Sequence, residues 1–308
     1  MSQPQDHNGI SVGIEAAALN LTAIALDGKR NVAGTYARPV EAGAPTTDQL
    51  VDFINSLAQE FGKFDRIGIA MPGLVQKATK RVTYSAHVPE HTDVDLAGKL
   101  FEATGLSPVI ENDANAAAYG EYKLGAGRGS ENMFYATLGR GVGGAFIFGG
   151  KIWHGASGYA GEFGFIAINS DGMRLEEVAS AENIVRRTRS RFNRDSTSSL
   201  NRLDEQSIYI NDILKAAENG DDFAQLMLER TGNYVGTAVA SVINLLNIER
   251  IVLGGAIMHA GNLVLDAVIR RARELSFEPS FQNTEIVAGS LGTDAAPIGA
   301  ALLAAEVS

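Results

Sequence analysis

Val109-Ile110-Glu111-Asn112-Asp113-Ala114-Asn115-Ala116-Ala117-Ala118 decides how this chain is read. A short apolar strand ends in Glu-Asn-Asp, and an Ala-rich helix from Ala114 to about Leu124 begins at once. The positive end of a helix dipole favours an ionised carboxylate at the first turn. The ionised form of Asp113 is favoured at this rigid junction, where it can accept a proton from a hydroxyl about to attack a phosphate. The same residues also fit a simpler role, in which Asn112 or Asp113 caps the helix and does nothing else.

Upstream of the junction, strand-like runs cover Ile10–Ala17, Leu21–Leu26 and Val32–Val40, with Asp27-Gly28 as the turn between the second and third. A helix is expected over Thr46–Phe61, presenting Leu50, Phe53, Ile54, Leu57 and Phe61 on one face. The strand Arg66–Ala70 closes at Pro72-Gly73, and a helix over Leu96–Thr104 leads to Val109. Downstream, the strand Met133–Leu138, the glycine-rich turn Gly139–Gly144 and the strand Gly144–Phe148 restart the pattern. The stretch 149–175 reads as loop, and helices follow over 176–190, 207–218 and 221–246. The strand Arg250–Leu253 runs into Gly254-Gly255, then come a helix over 261–275, the strand Glu285–Ala288 and an Ala-rich helix over 295–306. Two tandem halves predict two α/β domains with a cleft between them, lined by Asp113, Glu162, Gly73 and Gly139. Gly125, Gly127 and Gly129 mark the boundary, giving domains at 10–124 and 125–294, with the last helix able to pack back on the first.

Bulk composition narrows the function. The 308 residues suffice for two domains, and 45% hydrophobic with 20% charged residues is globular composition. No apolar run approaches the roughly 20 residues of a membrane span, and Met1–Asn8 lacks the apolar core of an export signal. Zero cysteines exclude disulfides and thiolate metal sites. A net charge of −10 argues against a nucleic-acid surface. It leaves room for ATP, because phosphate sites are local and built from backbone N–H groups and magnesium. The expectation is a cytoplasmic protein acting on small molecules.

Three glycine features each carry two readings. Gly139-Arg140-Gly141-Val142-Gly143-Gly144 lies between two strands, so it is a hairpin rather than the strand-to-helix loop of a dinucleotide site. Its glycines either let backbone N–H groups approach an anion or simply allow a tight turn with positive φ. Gly254-Gly255 either admits a nucleotide or ends a strand. Pro72-Gly73 either turns the chain or forms the floor under a sugar.

Taken in order, Glu111-Asn112-Asp113-Ala114-Asn115, Gly139-x-Gly-x-Gly-Gly144, Ala160-Gly161-Glu162-x-Gly164, Leu175-Glu176 with Ala179-Ser180-Ala181, Leu253-Gly254-Gly255 and Pro297-Ile298-Gly299-Ala300-Ala301 resemble the ROK family of bacterial sugar kinases and repressors. The resemblance runs from about residue 10 to 304. It implies a two-domain actin-like ATPase fold, an ATP-dependent sugar kinase and a homodimer. On the matching positions it implies that Asp113 is the general base and that Asn112, Glu162 and Glu176 bind sugar hydroxyls, with Gly73 and His87 on the same side. It further implies that Gly139, Arg140, Gly141, Gly143 and Gly144 form a phosphate hairpin, with Gly254 and Gly255 as the nucleotide wall. With no helix-turn-helix segment ahead of residue 10, the sequence reads as the kinase branch.

The sequence also departs from the family pattern. Where the first phosphate hairpin usually reads Asp-x-Gly-Gly-Thr-Lys, this chain has Glu15-Ala16-Ala17-Ala18-Leu19-Asn20. Each lost glycine places a Cβ where backbone should meet phosphate, so Mg-ATP is expected to bind weakly, with Glu15 as the remaining carboxylate for magnesium. Phe165 stands where a zinc- and sugar-binding histidine is usual, so no zinc site is expected. The loop should be held instead by packing of Phe163, Phe165, Ile166 and Met173, and exposed Phe146, Phe148, Trp153 and Tyr159 should supply a dimer surface. His87 stands where an asparagine usually contacts sugar. Two readings follow: a kinase for a primary hydroxyl of a hexose, amino sugar or related polyol, and a pseudokinase that binds a sugar without phosphorylating it.

Overall fold

The computed structural model describes residues 9–41, 46–76, 78–79, 81–85 and 92–307. It forms two compact units. The first holds residues up to Arg128 with Lys151–Ala160 and the segment from Thr293; the second holds Gly129–Gly150 and Gly161–Gly292. Among the described residues no helix is long and apolar enough to cross a membrane.

In the first unit β1 (Ser11–Ala16), β2 (Asn20–Leu26), β3 (Val32–Pro39), β4 (Arg66–Met71) and β7 (Val109–Asn112) form a sheet in the order β3-β2-β1-β4-β7. β1, β2 and β3 are antiparallel neighbours, while β4 and β7 run parallel to β1. β5 (Leu74–Val75) and β6 (Val82–Tyr84) make a small separate hairpin, too short to carry an alternating pattern in the sequence. The helices are α1 (Thr46–Phe61), α2 (Leu96–Thr104) and α3 (Asp113–Leu124). α1 buries Leu50, Phe53, Ile54 and Leu57, the face its periodicity predicts, each side chain being worth about 1.5–3 kcal/mol.

The second unit holds most of a second sheet, which repeats this topology. β8 (Met133–Leu138), β9 (Val142–Phe148), β10 (Lys151–Ile152), β11 (Arg250–Gly254) and β12 (Glu285–Ala288) give the order β10-β9-β8-β11-β12. The turn between β8 and β9 therefore occupies the place that the turn between β1 and β2 holds in the first sheet. Its helices are α4 (Glu176–Ala179), α5 (Ala181–Arg189), α6 (Ile210–Glu218), α7 (Asp222–Leu246), α8 (Asn262–Leu275) and α9 (Glu278–Gln282). The single helix expected over 176–190 is broken because Ser180 takes an extended conformation, φ −71° and ψ 154°.

The last helix, α10 (Ala295–Glu306), belongs to the first unit and is buried almost all round. Small residues allow this. A Cβ on Gly299 would lie 1.7 Å from the Ala116 carbonyl oxygen of α3, and one on Gly13 of β1 would lie 1.9 Å from the Pro297 oxygen. Any side chain at either place would push the helix off its seat.

Two turn expectations need correction. The turn between β2 and β3 runs past Asp27-Gly28 to Asn31: the Asp27 carboxylate accepts from the backbone N–H groups of Lys29 and Asn31, and Arg30 takes the left-handed conformation (φ 66°). β9 begins at Val142 rather than Gly144, so the glycine turn is shorter than its sequence implies.

Candidate active site

At the β7–α3 junction the capping role falls on one of the two candidate residues. Asn112 is the cap: its side-chain oxygen accepts from the Asn115 N–H at 3.0 Å, with φ −62° and ψ 145°. Asp113 is the first helical residue. Its Oδ1 accepts from the Ala114 N–H at 2.8 Å and from Asn112 Nδ2 at 3.0 Å. Asn112 Nδ2 also donates to the Gly73 carbonyl at 2.9 Å, joining three predicted site residues. Gly73 has φ 118°, and a Cβ there would meet the Tyr84 carbonyl at 2.3 Å, so the turn demands glycine.

Glu15, on β1, stands close enough to Asp113 and to Asp294 to feel both charges. Burial, then Asp113, then Asp294 push the Glu15 carboxyl up from an ordinary 4.5 to about 7. Among the described residues no three of His, Asp or Glu are grouped to hold a metal ion by themselves. Ahead of this cluster, the β1–β2 turn runs through Ala17, Ala18 and Leu19, none with a left-handed backbone, and Leu19 is 67% exposed. The Leu19 carbonyl accepts from the Val40 N–H at 2.8 Å.

The remaining predicted residues lie in the second unit. Glu162 and Glu176 are neighbours, and loss of hydration followed by the Glu176 charge raises the Glu162 carboxyl above its usual range. Glu176 Oε2 accepts from the Val142 N–H at 3.1 Å, tying α4 to the glycine turn. The Gly139 carbonyl accepts from the Ala181 N–H at 2.9 Å, at the start of α5. The turn's four glycines do not have positive φ, which removes the tight-turn reading. Gly144 has a packing reason: its Cβ would lie 2.9 Å from the Gly161 carbonyl, the Phe134 ring and Phe163 Cβ. Gly139 has none, since a Cβ there would meet nothing within 4 Å. Arg140 is exposed beside it. Gly255 (φ 89°) would clash with the Leu138 carbonyl and Gly254 with the Tyr135 hydroxyl, so both serve close packing. His87 lies outside the described residues.

Two expectations about 145–175 are overturned. Phe163 is buried and Ile166 packs partly on the core, but Phe165 is 57% exposed and Met173 37%. Polar closure holds this loop: Asn169 Oδ1 accepts from the Asp171 and Met173 N–H groups, while the Arg174 guanidinium lies 4.7 Å from the Phe165 ring centre. Phe146 and Phe148 pack against the core rather than forming exposed surface, and the Tyr159 hydroxyl bonds Thr83 Oγ1 at 3.0 Å. Trp153 alone of the four is more than half exposed.

Three residues of this region carry no sequence signal. Asp294 precedes α10 without a motif, and Thr83 sits in a three-residue strand. His154 bonds Glu111 from 43 positions away, at 2.8 Å.

Known proteins bear on this arrangement. Residues 8–307 match the model of the ROK family. A glucokinase of Halalkalibacterium halodurans is 33% identical over 275 residues, covering 84% of this chain and 83% of that one. A crystal structure of a ROK family glucokinase from Streptomyces griseus, in complex with glucose and AMPPNP, matches with a TM-score of 0.84 at 28% identity over 97% of this chain and all of that one. A ROK family transcriptional regulator, a homolog of the E. coli MLC protein, matches with a TM-score of 0.87 at 26% identity, over 98% of this chain and 79% of that one. The fold is the two-domain actin-like ATPase fold, and the chain belongs to the ROK family.

Proposed function

We propose that this chain is an ATP-dependent kinase for a primary hydroxyl of a hexose, amino sugar or related polyol, with Asp113 as general base. The observation that carries this reading is the division of labour at the junction. Asn112 holds the helix cap, so Asp113 is not needed for it, and Asp113 sits at the dipole's positive end beside Glu15. Asp113 takes the proton of the attacking hydroxyl as its oxygen bonds to the terminal phosphorus of ATP and the bond to ADP breaks. Asn112, Gly73, His87, Glu162 and Glu176 are assigned to the sugar. The glucokinase relatives support the reaction class.

Mg-ATP fits in part. Magnesium prefers oxygen ligands and takes one or two carboxylates plus phosphate and water. Glu15 offers such oxygens, and its high pKa marks a carboxylate cluster that a cation would relieve. Bound Mg-ATP supplies the phosphoryl group and neutralises its developing charge. The Ala17-Ala18-Leu19 turn fits phosphate poorly, so Gly139, Gly141, Gly143 and Gly144 with Arg140, and the Gly254-Gly255 wall, are assigned most of the nucleotide contacts.

That same turn favours the second reading, a sugar-binding pseudokinase, and the regulator among the structural relatives is compatible with it. Incubation with Mg-ATP and a panel of sugars separates the two. The kinase forms ADP and sugar phosphate, and Asp113→Ala abolishes both; sugar binding without turnover leaves the pseudokinase.

The reading includes a cytoplasmic homodimer. Its surface is reassigned to the exposed Leu245, Leu246, Leu275 and Phe277, gathered in the second unit by Asn244, which bonds the Leu275 carbonyl and the Phe277 N–H. Sedimentation as a monomer at micromolar concentration overturns it.

A further inference from the structure

Glu111 is 6% exposed, yet no catalytic role falls on it. A carboxylate removed from water must have its oxygens satisfied by donors. Glu111 Oε1 accepts from the Asn112 N–H at 3.0 Å and from Asn115 Nδ2 at 2.9 Å, and Oε2 is bonded to His154 Nε2 at 2.8 Å. The first two donors bracket Asp113: one is the amide of the preceding residue, the other the side chain two positions on. Glu111 thus holds a group on each side of Asp113, the backbone amide before it and a side-chain amide after it.

His154 is itself held. Its carbonyl accepts from the Ala160 N–H at 3.2 Å, closing the loop on which it sits, and Gly155 turns that loop with φ 69°. At the far end the Tyr159 hydroxyl meets Thr83 Oγ1, which bonds the Leu74 carbonyl at 3.2 Å. Leu74 follows Gly73, whose own carbonyl is bonded by Asn112. The loop from His154 to Ala160 is therefore bonded to the rest of its unit at two points, at Glu111 before Asp113 and at Thr83 near Gly73.

We propose that His154 is a positioning residue for Asp113, acting through the hydrogen bond from its imidazole to the buried Glu111 carboxylate. Global stability is a weak reason for such a pair, because buried polar pairs are often replaceable by apolar side chains without loss. Its geometry has a local target instead. Without the imidazole, one Glu111 oxygen is left buried without its donor, and the carboxylate relaxes by protonation or rotation. Either change loosens the bonds to Asn112 and Asn115 and lets Asp113 drift. The inference rests on Asp113 being the base, and a displacement on the ångström scale there is enough to slow proton transfer.

The test compares His154→Ala, which removes the donor, with His154→Gln, whose amide restores one. With Mg-ATP and an accepted sugar, His154→Ala should lower kcat by roughly tenfold or more, with the sugar KM within about threefold. His154→Gln should recover most of the loss, and Glu111→Gln combined with His154→Ala should be no worse than the poorer single variant. In amide exchange, peptides covering 109–116 should exchange faster in His154→Ala and near the wild-type rate in His154→Gln. Equal kcat in wild type and His154→Ala overturns the proposal, as does an equal loss in both variants that tracks a fall in Tm. If wild type forms no sugar phosphate, the kinase reading fails separately, and exchange alone decides: unchanged rates at 109–116 in His154→Ala dismiss the clamp, and locally faster rates restored by glutamine support it.

Discussion

The β7–α3 junction and the β1–β2 turn belong to the same unit, and they differ in what they keep. At the junction, Glu111, Asn112, Asp113 and Asn115 are all polar and are bonded to one another, with His154 and Gly73 as outer partners. At the turn, Ala17, Ala18 and Leu19 offer no hydroxyl, no cation and no glycine. Glu15 joins them, a carboxylate on β1 that feels the Asp113 charge. With Asp113 proposed as the base, the network at the junction is an arrangement for reacting, whereas a turn with added methyl groups is an arrangement that holds phosphate weakly. On that reading the contrast places the expected weakness of this protein on nucleotide affinity rather than on proton transfer.

The largest effect should come from the junction. In a kinase, Asp113→Asn should cut turnover by about 10²–10⁴ while leaving sugar affinity within a few-fold, since asparagine keeps size and hydrogen bonding but not basicity. Steady-state kinetics with calorimetric sugar binding checks both halves. Equal turnover in the two proteins would break the comparison, because the ordered network would then have no base to order.

Glu15 gives the next largest. Its folded pKa of about 7 exceeds the ordinary 4.5, so between those values the folded state keeps a proton that the unfolded state has released. Stability therefore falls as pH rises through that window, and below about pH 4.5 the penalty vanishes. The gap corresponds to at most ~3.5 kcal/mol. Glu15→Gln should thus gain about 1–3 kcal/mol on wild type between pH 4 and pH 8, read from urea unfolding at each pH. A difference independent of pH would remove Glu15 from the charged cluster.

At the turn, wild type should bind Mg-ATP with a Kd in about the millimolar range, roughly −4 kcal/mol. Ala17→Gly, Ala18→Gly, Leu19→Thr and Asn20→Lys together should tighten it by about 10–100-fold, equivalent to about 1.4–2.7 kcal/mol. Micromolar binding by wild type in calorimetry would show that Arg140 and Glu15 have rebuilt the phosphate site. It would erase the contrast in favour of the kinase.

Much of this was legible in the sequence where one local signal dominated. The α1 face, the strands β1, β4 and β8, and the Asn-Asp junction follow from periodicity and capping chemistry. Turns were less so, because side-chain bonds redirect them: Asp27 carries its turn on to Asn31, and Ser180 divides a helix that periodicity leaves whole. Contacts over long separations were invisible. Nothing near His154 points to Glu111, and nothing near Asp294 points to Glu15. Apolar composition also misled, since Phe165 is more than half exposed and meets an arginine rather than a core.

The smallest effect sharpens the same contrast in the second unit, where the topologically equivalent turn keeps its glycines. Gly139 and Gly144 lie in one motif but face different constraints. A methyl group on Gly144 would press within 2.9 Å of Gly161, Phe134 and Phe163, so Gly144→Ala should cost about 1–3 kcal/mol of stability, whatever the function. A methyl group on Gly139 would meet nothing within 4 Å, and its φ is not left-handed, so Gly139→Ala should change stability by at most about 0.5 kcal/mol. If this turn carries the phosphate contacts that the first has lost, the harmless methyl should still weaken Mg-ATP binding by roughly threefold or more, because it stands where backbone N–H groups meet the anion. Thermal unfolding and ATP titration of the two variants check this together. Unchanged ATP affinity in Gly139→Ala would mean that neither turn holds phosphate closely, and the balance would pass to the pseudokinase.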